Sequence, residues 1–459
     1  MEKAVADCLM QIVGEPNVIT DRKRMQNYLF DETPQLMRPQ PANDLVLVKP
    51  GGADEISQIL KLANSHKLPV FLRGGGTGLV GGAVPVDDGI ILALERMDKL
   101  EIDDENLMAI AEAGVTLDRL LSAVSDMNLS FPLHPGDETA QIGGLTATNA
   151  GGARAIRHGV MRNHVRGIEA VLPTGEFITL GGKLQKNNVG YDVMDLIVGS
   201  EGTLAVITKV ILRLYPKADV TATLIVPYEH RHDALKSVPL ILKDGIMPMA
   251  IEYFEKDLIE KAAGHTGQTW PVKDGNCYLM VIESEKNRDE LLSESVRIAE
   301  ICKNNGALEP LLAEPVDEQE KLLRVRSSIY SVLKPDTIDI LDTTVPPSNI
   351  GRMFDSVDEI AQRHNVWLPA YGHAGDGNVH IHIMKEEGKP LDFVKELRMD
   401  IYNAAVELEG VITGEHGIGR TRLESMGGSI SDSALNLMRK IKRLFDPNNI
   451  LNPKVKIPL

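Results

Sequence analysis

The sequence predicts a mixed helix-and-strand protein of two or three domains. Three observations predict it. The chain has 459 residues, more than one ordinary hydrophobic core organises. Its first half alternates short β-rich runs with helical patterns. Beyond Pro216 the glycine-dense character gives way to strands and long helical patterns, which puts a domain boundary near 215–220.

The elements follow in order. "DLVLVKP" reads as a strand, and "ADEISQILKLANSHKL" as a helix with Ile56, Ile59, Leu60 and Ala63 on one face. "PVFLRGGGTG" and "GIILALERM" are the next strands, the first opening into glycine. A glycine-rich block covers Gly136 to Gly159. "IEAVLPTGEFITL" and "TLAVITKVILRLYP" are strand-like. Later come a strand, "CYLMVIES", and a helix over Arg288 to Lys303. The chain closes with a helix stopped at Asp446-Pro447-Asn448 and an extended tail.

Composition narrows the function classes. With 43% apolar and 25% charged residues the protein is expected to be soluble and globular. A net charge of −16 disfavours nucleic acid and anionic membrane surfaces. No run of 18 apolar residues occurs, so no membrane span is expected. The start, "MEKAVADCLMQIVGEPNVIT", is acidic and broken by Gly and Pro, unlike a secretory or transit signal, and a cytoplasmic location is expected. Cys8, Cys277 and Cys302 lie far apart. They form neither a disulfide framework nor the set of about four thiolates an iron–sulfur cluster needs. Electrons from any redox reaction must therefore leave through another chain or a diffusible acceptor.

Five stretches carry chemistry. "RGGGTGLVGG" follows a strand, and dense glycine there lets backbone amides approach a phosphate. It has neither the GxGxxG spacing, since position 79 is Leu, nor the P-loop pattern. "PGDETAQIGGLTATNAGGA" has almost no large side chains between Gly143 and Ala153, which suits close packing of a planar or phosphorylated ligand. "YGHAGDGNVHIHI" alternates in period two, with Asn378, His380 and His382 on one face. Asp376-Gly377 reads as a two-residue type I′ turn, which would set His373 opposite His380 at about 4.5–5.5 Å between Cα atoms. Two imidazoles so placed can share a metal ion. "GEHGIG" offers Glu415 and His416 between glycines as candidates to complete such a site. "LLRVRSSI" offers Arg324 and Arg326 to a substrate carboxylate.

Together with "GSEGTLAVIT" and "FDPNNILNP", these motifs cover nearly the whole chain and resemble one family. It is that of the flavoproteins typified by vanillyl-alcohol oxidase and para-cresol methylhydroxylase, in its D-2-hydroxyacid dehydrogenase branch. The resemblance implies an α+β architecture. A two-subdomain FAD-binding domain (1–217) is followed by an α/β cap domain with an antiparallel sheet (218–412). A C-terminal segment (413–459) returns to the FAD domain.

It also implies residue roles. Arg73, Gly74, Gly75, Gly76, Thr77 and Gly78 would hold the FAD pyrophosphate. Pro135, Gly136, Asp137, Gly143, Gly144, Thr146, Asn149, Gly151 and Gly152 would line the cofactor, and Glu201, Gly202 and Ile207 its adenine side. Thr77 stands where some relatives carry a flavin-linking histidine, so the FAD is expected to be non-covalent. His373, His380 and Glu415 would hold one divalent transition metal; this set suits Zn²⁺ or Fe²⁺, and Mn²⁺ also accepts it. His416 would be the catalytic base. Arg324 would anchor the substrate carboxylate, with Ser328 nearby.

Ile340 stands where the 2-hydroxyglutarate branch carries a lysine. His382, a pocket residue, stands where that branch often has Asn. Both departures point to a small monocarboxylate, D-lactate or glycolate. The expected function is FAD- and metal-dependent oxidation of a small D-2-hydroxyacid by hydride transfer to flavin. The expected acceptor is a protein, either an electron-transfer flavoprotein or an iron–sulfur subunit. A sugar-lactone or alcohol oxidase, or a non-catalytic flavin electron-transfer subunit, would not need the His₂Glu set.

Overall fold

A computed structural model describes residues 3–386, 388 and 390–459. The chain forms two compact units, one of 1–150, 160–217 and 415–459, the other of 151–159 and 218–414.

The first unit opens with β1 (Val18–Ile19), β2 (Leu45–Val48), β3 (Val70–Arg73) and β4 (Gly89–Ala93), in the order β1-β2-β4-β3. The β2, β4 and β3 strands are parallel, and β2 and β4 are buried at every residue. That matches their continuous apolar runs, since parallel strands are covered on both faces. The Ala53–His66 helix crosses from β2 to β3 and buries Ile56, Ile59, Leu60 and Ala63, the face its periodicity predicts.

The outer side of β3 is held by the C-terminal tail. Val70 N–H donates to the Ile450 carbonyl at 2.7 Å, and Asn452 N–H donates to the Val70 carbonyl at 2.9 Å. Asp446 organises the turn that delivers this tail, accepting from the amides of Ile450 at 3.0 Å and Leu451 at 2.8 Å.

A second sheet uses β5 (Leu100–Asp103), β6 (Met108–Glu112), β8 (Val165–Val171), β9 (Phe177–Gly181) and β10 (Val206–Arg213). Its order is β5-β6-β10-β8-β9, antiparallel throughout. Between β6 and β8 lies β7 (Leu129–Ser130), which pairs with β11 (Tyr215–Pro216). The run "IEAVLPTGEFITL", strand-like along its length, is a hairpin of β8 and β9. It turns at Pro173-Thr174-Gly175, where Gly175 takes φ +85°, a region that favours glycine.

The second unit is built on β12 (Val220–Tyr228), β13 (Ala250–Glu255), β14 (Cys277–Glu285), β15 (Leu311–Ala313), β16 (Thr337–Thr344), β17 (Ala370–His373) and β18 (Asn378–Met384). They form one antiparallel sheet in the order β15-β12-β14-β13-β17-β18-β16. Helices Lys256–His265 and Val316–Leu333 pack Ile259, Val325 and Ile329 with Phe254, Tyr278 and Tyr371 of the sheet. The strand-like "NVWLPAYGH" becomes strand only at Ala370. Pro369 cannot donate to a ladder, which is why strands seldom run through proline.

One buried carboxylate lies away from the histidines. Glu283 on β14 is 1% exposed and accepts from Ser295 Oγ at 2.6 Å. Its other oxygen is buried with no partner among the described residues. Burial raises its pKa from 4.5 to about 7, opposed by the Ser295 hydrogen bond and reinforced by Glu294 and Glu285. A raised carboxyl pKa contributes stability that is full below pH 4.5 and lost as pH climbs through 7. Glu283→Gln never ionises. Its melting temperature relative to wild type should therefore rise between pH 4.5 and pH 8, by the equivalent of roughly 2–3 kcal/mol. An offset equal at the two pH values would show that Glu283 ionises with the same pKa folded and unfolded, so that its burial shifts nothing.

Candidate active site

In the first unit the candidate cofactor cradle begins where β3 ends. Arg73 turns under the glycine loop, and its guanidinium donates to the carbonyls of Phe30 at 2.6 Å and Asn27 at 2.8 Å. Gly76, at φ +76°, lies so close that a Cβ there would sit 2.0 Å from Arg73 Nη2. Arg73 thus supports the loop from beneath. Arg420 does the same further on, donating to the carbonyls of Gly81 at 3.1 Å and Gly82 at 2.9 Å. Burial lowers its pKa to about 10, so it stays charged at neutral pH.

Among the described residues, none accepts a hydrogen bond from the backbone amides of Gly75, Gly76, Thr77 or Gly78. Nothing lies within 4 Å of a Cβ built on Gly78, Gly136 or Gly144. Gln141, beside Gly74, has a buried side-chain oxygen with no partner among the described residues. Free amides and open glycines fit a bound dinucleotide pyrophosphate, while the Gln141 oxygen, an acceptor, suits a hydroxyl or ring N–H of the same cofactor. Gln141 escaped the sequence reading because it carries no charge and sits between glycine motifs.

Two neighbouring glycines have different purposes. A Cβ on Gly143 would lie 2.6 Å from Ala113 Cβ, so Gly143 lets the Ile142–Thr148 helix pack on the sheet, while Gly144 faces open space. Thr146 is fully buried, its hydroxyl donating to the Ile142 carbonyl at 2.8 Å. Asn149 caps that helix at φ +53° and accepts from Arg162 N–H at 2.9 Å. Pro135 and Gly136 lead into Asp137, which accepts from Thr139 N–H at 2.9 Å. Gly151 and Gly152 are buried in the second unit.

Three expected adenine-side residues are turned to protein. Ile207 is a core residue of β10. A Cβ on Gly202 would lie 2.8 Å from both Asn452 and Leu72. Glu201, buried at φ +54°, accepts from Ile418 N–H at 2.9 Å and Gly419 N–H at 2.7 Å, with Lys456 Nζ at 3.2 Å. It clamps the segment that immediately follows Glu415 and His416. His416 Nε2 and Glu415 Oε1 are 3.9 Å apart, and both side chains are largely covered.

The second unit holds the histidine pair. The expected two-residue turn is not formed. His373 pairs with Asn378 and Tyr371 with His380, so Ala374–Gly377 is a four-residue loop. Gly377 N–H donates to the His373 carbonyl at 3.1 Å, the Asp376 carboxylate accepts from Asn378 N–H at 3.1 Å, and Val345 N–H donates to the Gly377 carbonyl at 3.1 Å. These anchors make the longer loop. The register moves by two residues, which preserves the side-chain face. His373 and His380 therefore still converge, with Nε2 atoms 3.3 Å apart and rings at 89°.

Around them is a polar strip. His373 Nδ1 lies 2.6 Å from Glu252 Oε1 on β13. Glu252 is 2% exposed and pairs through its other oxygen with Arg326. Burial alone would raise its pKa; Arg326 and His373 outweigh that and hold it at about 2. The Arg326 guanidinium lies 4.9 Å from the Tyr371 ring centroid. His382, expected in the pocket, is wholly buried, with Thr337 Oγ1 2.8 Å from Nδ1 and Tyr371 Oη 3.3 Å from Nε2. Its place is behind the pair, supporting Tyr371.

Arg324, two residues before Arg326, projects about 200° around the helix axis from it and is exposed. Ser328, one turn on, donates to the Arg324 carbonyl at 2.7 Å. Asp342, opposite His380 on β16, accepts Gly414 N–H through its carbonyl at 2.8 Å and Thr413 Oγ1 through its carboxylate at 3.2 Å. Glu415 is the next residue along the chain. Sequence reasoning missed Glu252, Asp342 and Tyr371. None has a motif of its own, and strand pairing alone brings them to the histidines.

Fold and glycine cradle define a class, the two-domain flavin-binding oxidoreductases. Residues 45–181 match the FAD binding domain family, and residues 217–455 match the C-terminal domain of FAD linked oxidases. Two solved structures share the fold at 17% identity. They are p-cresol methylhydroxylase with substrate bound (TM-score 0.79, 98% of this chain and 96% of that one) and 4-ethylphenol oxidase from Gulosibacter chungangensis (TM-score 0.78, 99% and 97%). D-lactate dehydrogenase of Archaeoglobus fulgidus is 45% identical, covering 93% of this chain and 94% of that one. Glycolate oxidase subunit GlcD of Bacillus subtilis is 34% identical, covering 98% and 96%. The chain belongs to the FAD-linked oxidoreductases of the D-lactate, glycolate and D-2-hydroxyglutarate dehydrogenase type. Among the described residues no helix is long and apolar enough to cross a membrane.

Proposed function

We propose that this protein oxidises a small D-2-hydroxyacid, D-lactate foremost, to the 2-oxoacid. The observation that carries the reading is the buried His373–His380 pair, backed by Glu252, in a chain 45% identical to a D-lactate dehydrogenase. Converging imidazole nitrogens with a carboxylate behind one of them suit a cation. Glu415, one residue beyond the Asp342-anchored Gly414, is the third ligand. The metal, Zn²⁺ or Fe²⁺ with Mn²⁺ also accepted, would supply Lewis acidity at the substrate hydroxyl. FAD, held non-covalently at the Thr77 loop, would supply the hydride acceptor.

The chain's own residues do the rest. Arg324 receives the substrate carboxylate through its planar fork, with Ser328 beside it. His416 takes the hydroxyl proton, a task suited to imidazole near neutral pH. Ile340 is apolar, and His382 has both nitrogens engaged, so neither position offers a cation to a second carboxylate. That favours a monocarboxylate. Three scattered cysteines hold no cluster, and electrons pass to a protein partner, an electron-transfer flavoprotein or an iron–sulfur subunit, in the cytoplasm. The FAD domain is 1–217, the cap 218–412, and 413–459 completes the site.

The test is anaerobic bleaching of the bound flavin by D-lactate, L-lactate, glycolate and D-2-hydroxyglutarate. D-lactate should bleach fastest. Bleaching by none of the four would overturn the reading, and fastest bleaching by D-2-hydroxyglutarate would overturn the monocarboxylate assignment.

A further inference from the structure

We infer that Glu252, braced by Arg326, is a positioning residue that selects the tautomer and ring orientation of His373 and so sets the metal affinity of the histidine pair. This rests on the metal reading above.

The geometry is specific. Glu252 Oε2 is taken by Arg326, which leaves Oε1 for His373 Nδ1 at 2.6 Å. A carboxylate oxygen can only accept, so Nδ1 carries the hydrogen and donates. The neutral ring then has its lone pair on Nε2, the atom that faces His380 Nε2 at 3.3 Å. The opposite tautomer would put a hydrogen between the two nitrogens and block a shared ion.

Arg326 fixes which carboxylate oxygen is free. It is itself held against the Tyr371 ring at 4.9 Å, and the Tyr371 hydroxyl lies 3.3 Å from His382. His382, Tyr371, Arg326, Glu252 and His373 thus form one chain of contacts across four elements. Glu252 is 2% exposed, so water does not substitute for it. Partners behind a ligating histidine are worth roughly 10–100-fold in metal affinity. Arg326 therefore belongs to the support of the metal ligand.

Glu252→Gln makes the mechanism testable without emptying the site. Arg326 will hold the amide oxygen, because a guanidinium only donates. The amide NH₂ then faces His373 Nδ1 and drives the hydrogen to Nε2. In Glu252→Gln/Arg326→Met the constraint is gone, and the amide can rotate its oxygen back to Nδ1. The experiment titrates metal-free, FAD-loaded protein with Zn²⁺ against a chromophoric chelator, with flavin content and melting temperature followed in parallel.

Wild type should bind one Zn²⁺. Glu252→Gln should bind it about 10–100-fold more weakly, and the double variant should recover most of the loss. Wild-type affinity in Glu252→Gln would overturn the positioning role. Equal weakness in the single and double variants would overturn the tautomer relay and leave only packing. Failure of wild type itself to bind Zn²⁺ would instead overturn the metal reading on which this rests.

Discussion

His416→Ala is expected to slow reduction of the bound flavin by D-lactate by 10²- to 10⁴-fold, the range a positioned general base contributes. Flavin and metal content should stay at wild-type levels. His416 lies on the strap between Gly414, bonded to Asp342, and Ile418-Gly419, bonded to Glu201. Its side chain is not needed for either anchor, so the fold should survive its loss. The measurement is rapid-mixing absorbance of the flavin under anaerobic conditions. A rate within a few-fold of wild type would remove His416 from the reaction. Glu415→Gln, made in parallel, should lose metal as well as rate, which separates the two neighbours.

Glu201→Ala should cost more stability than any other single change considered. Its carboxylate receives two backbone amides and lies 3.2 Å from Lys456, and its carbonyl accepts from Asn452 at 2.9 Å. Leaving the two buried amides without an acceptor costs about 1–3 kcal/mol each, whereas Lys456, a third exposed, can turn to water. Gly417 packs directly on the carboxylate, a Cβ there falling 2.7 Å from Oε1, so its loss frees the residue next to His416. The variant should melt at clearly lower temperature and reduce its flavin slowly even when folded. Glu201→Gln, which keeps one acceptor oxygen, should lie between. A wild-type melting temperature in Glu201→Ala would show that the clamp contributes nothing.

The motifs of the candidate site were legible because they are local. The glycine loop, the "GEHG" strap and the histidine alternation are each short enough to be read off the chain. The hairpin register was misjudged because turn residues specify it only weakly against tertiary anchors, here Val345 on Gly377 and Asp376 on Asn378. The side-chain face came out right all the same, since a shift of two residues conserves it. Arg73 and Glu201 look like ligand residues in a motif, yet their charges are directed at backbone groups of the protein.

What the sequence determined by itself is the chemistry on offer. Spacing and alternation bring His380 and His382 to one face, put Glu415 beside His416, and leave a run of glycines after a strand. The tertiary structure decided which of those groups are supported and which are free. Glu252 reaches His373 from 121 residues away, through the pairing of β13 with β17. Period-two patterning says which face a side chain takes but not which strand lies next to it. That neighbour is settled only by burial of the whole sheet, and with it the difference between Arg326, which braces the histidine pair, and Arg324, which stays open to solvent.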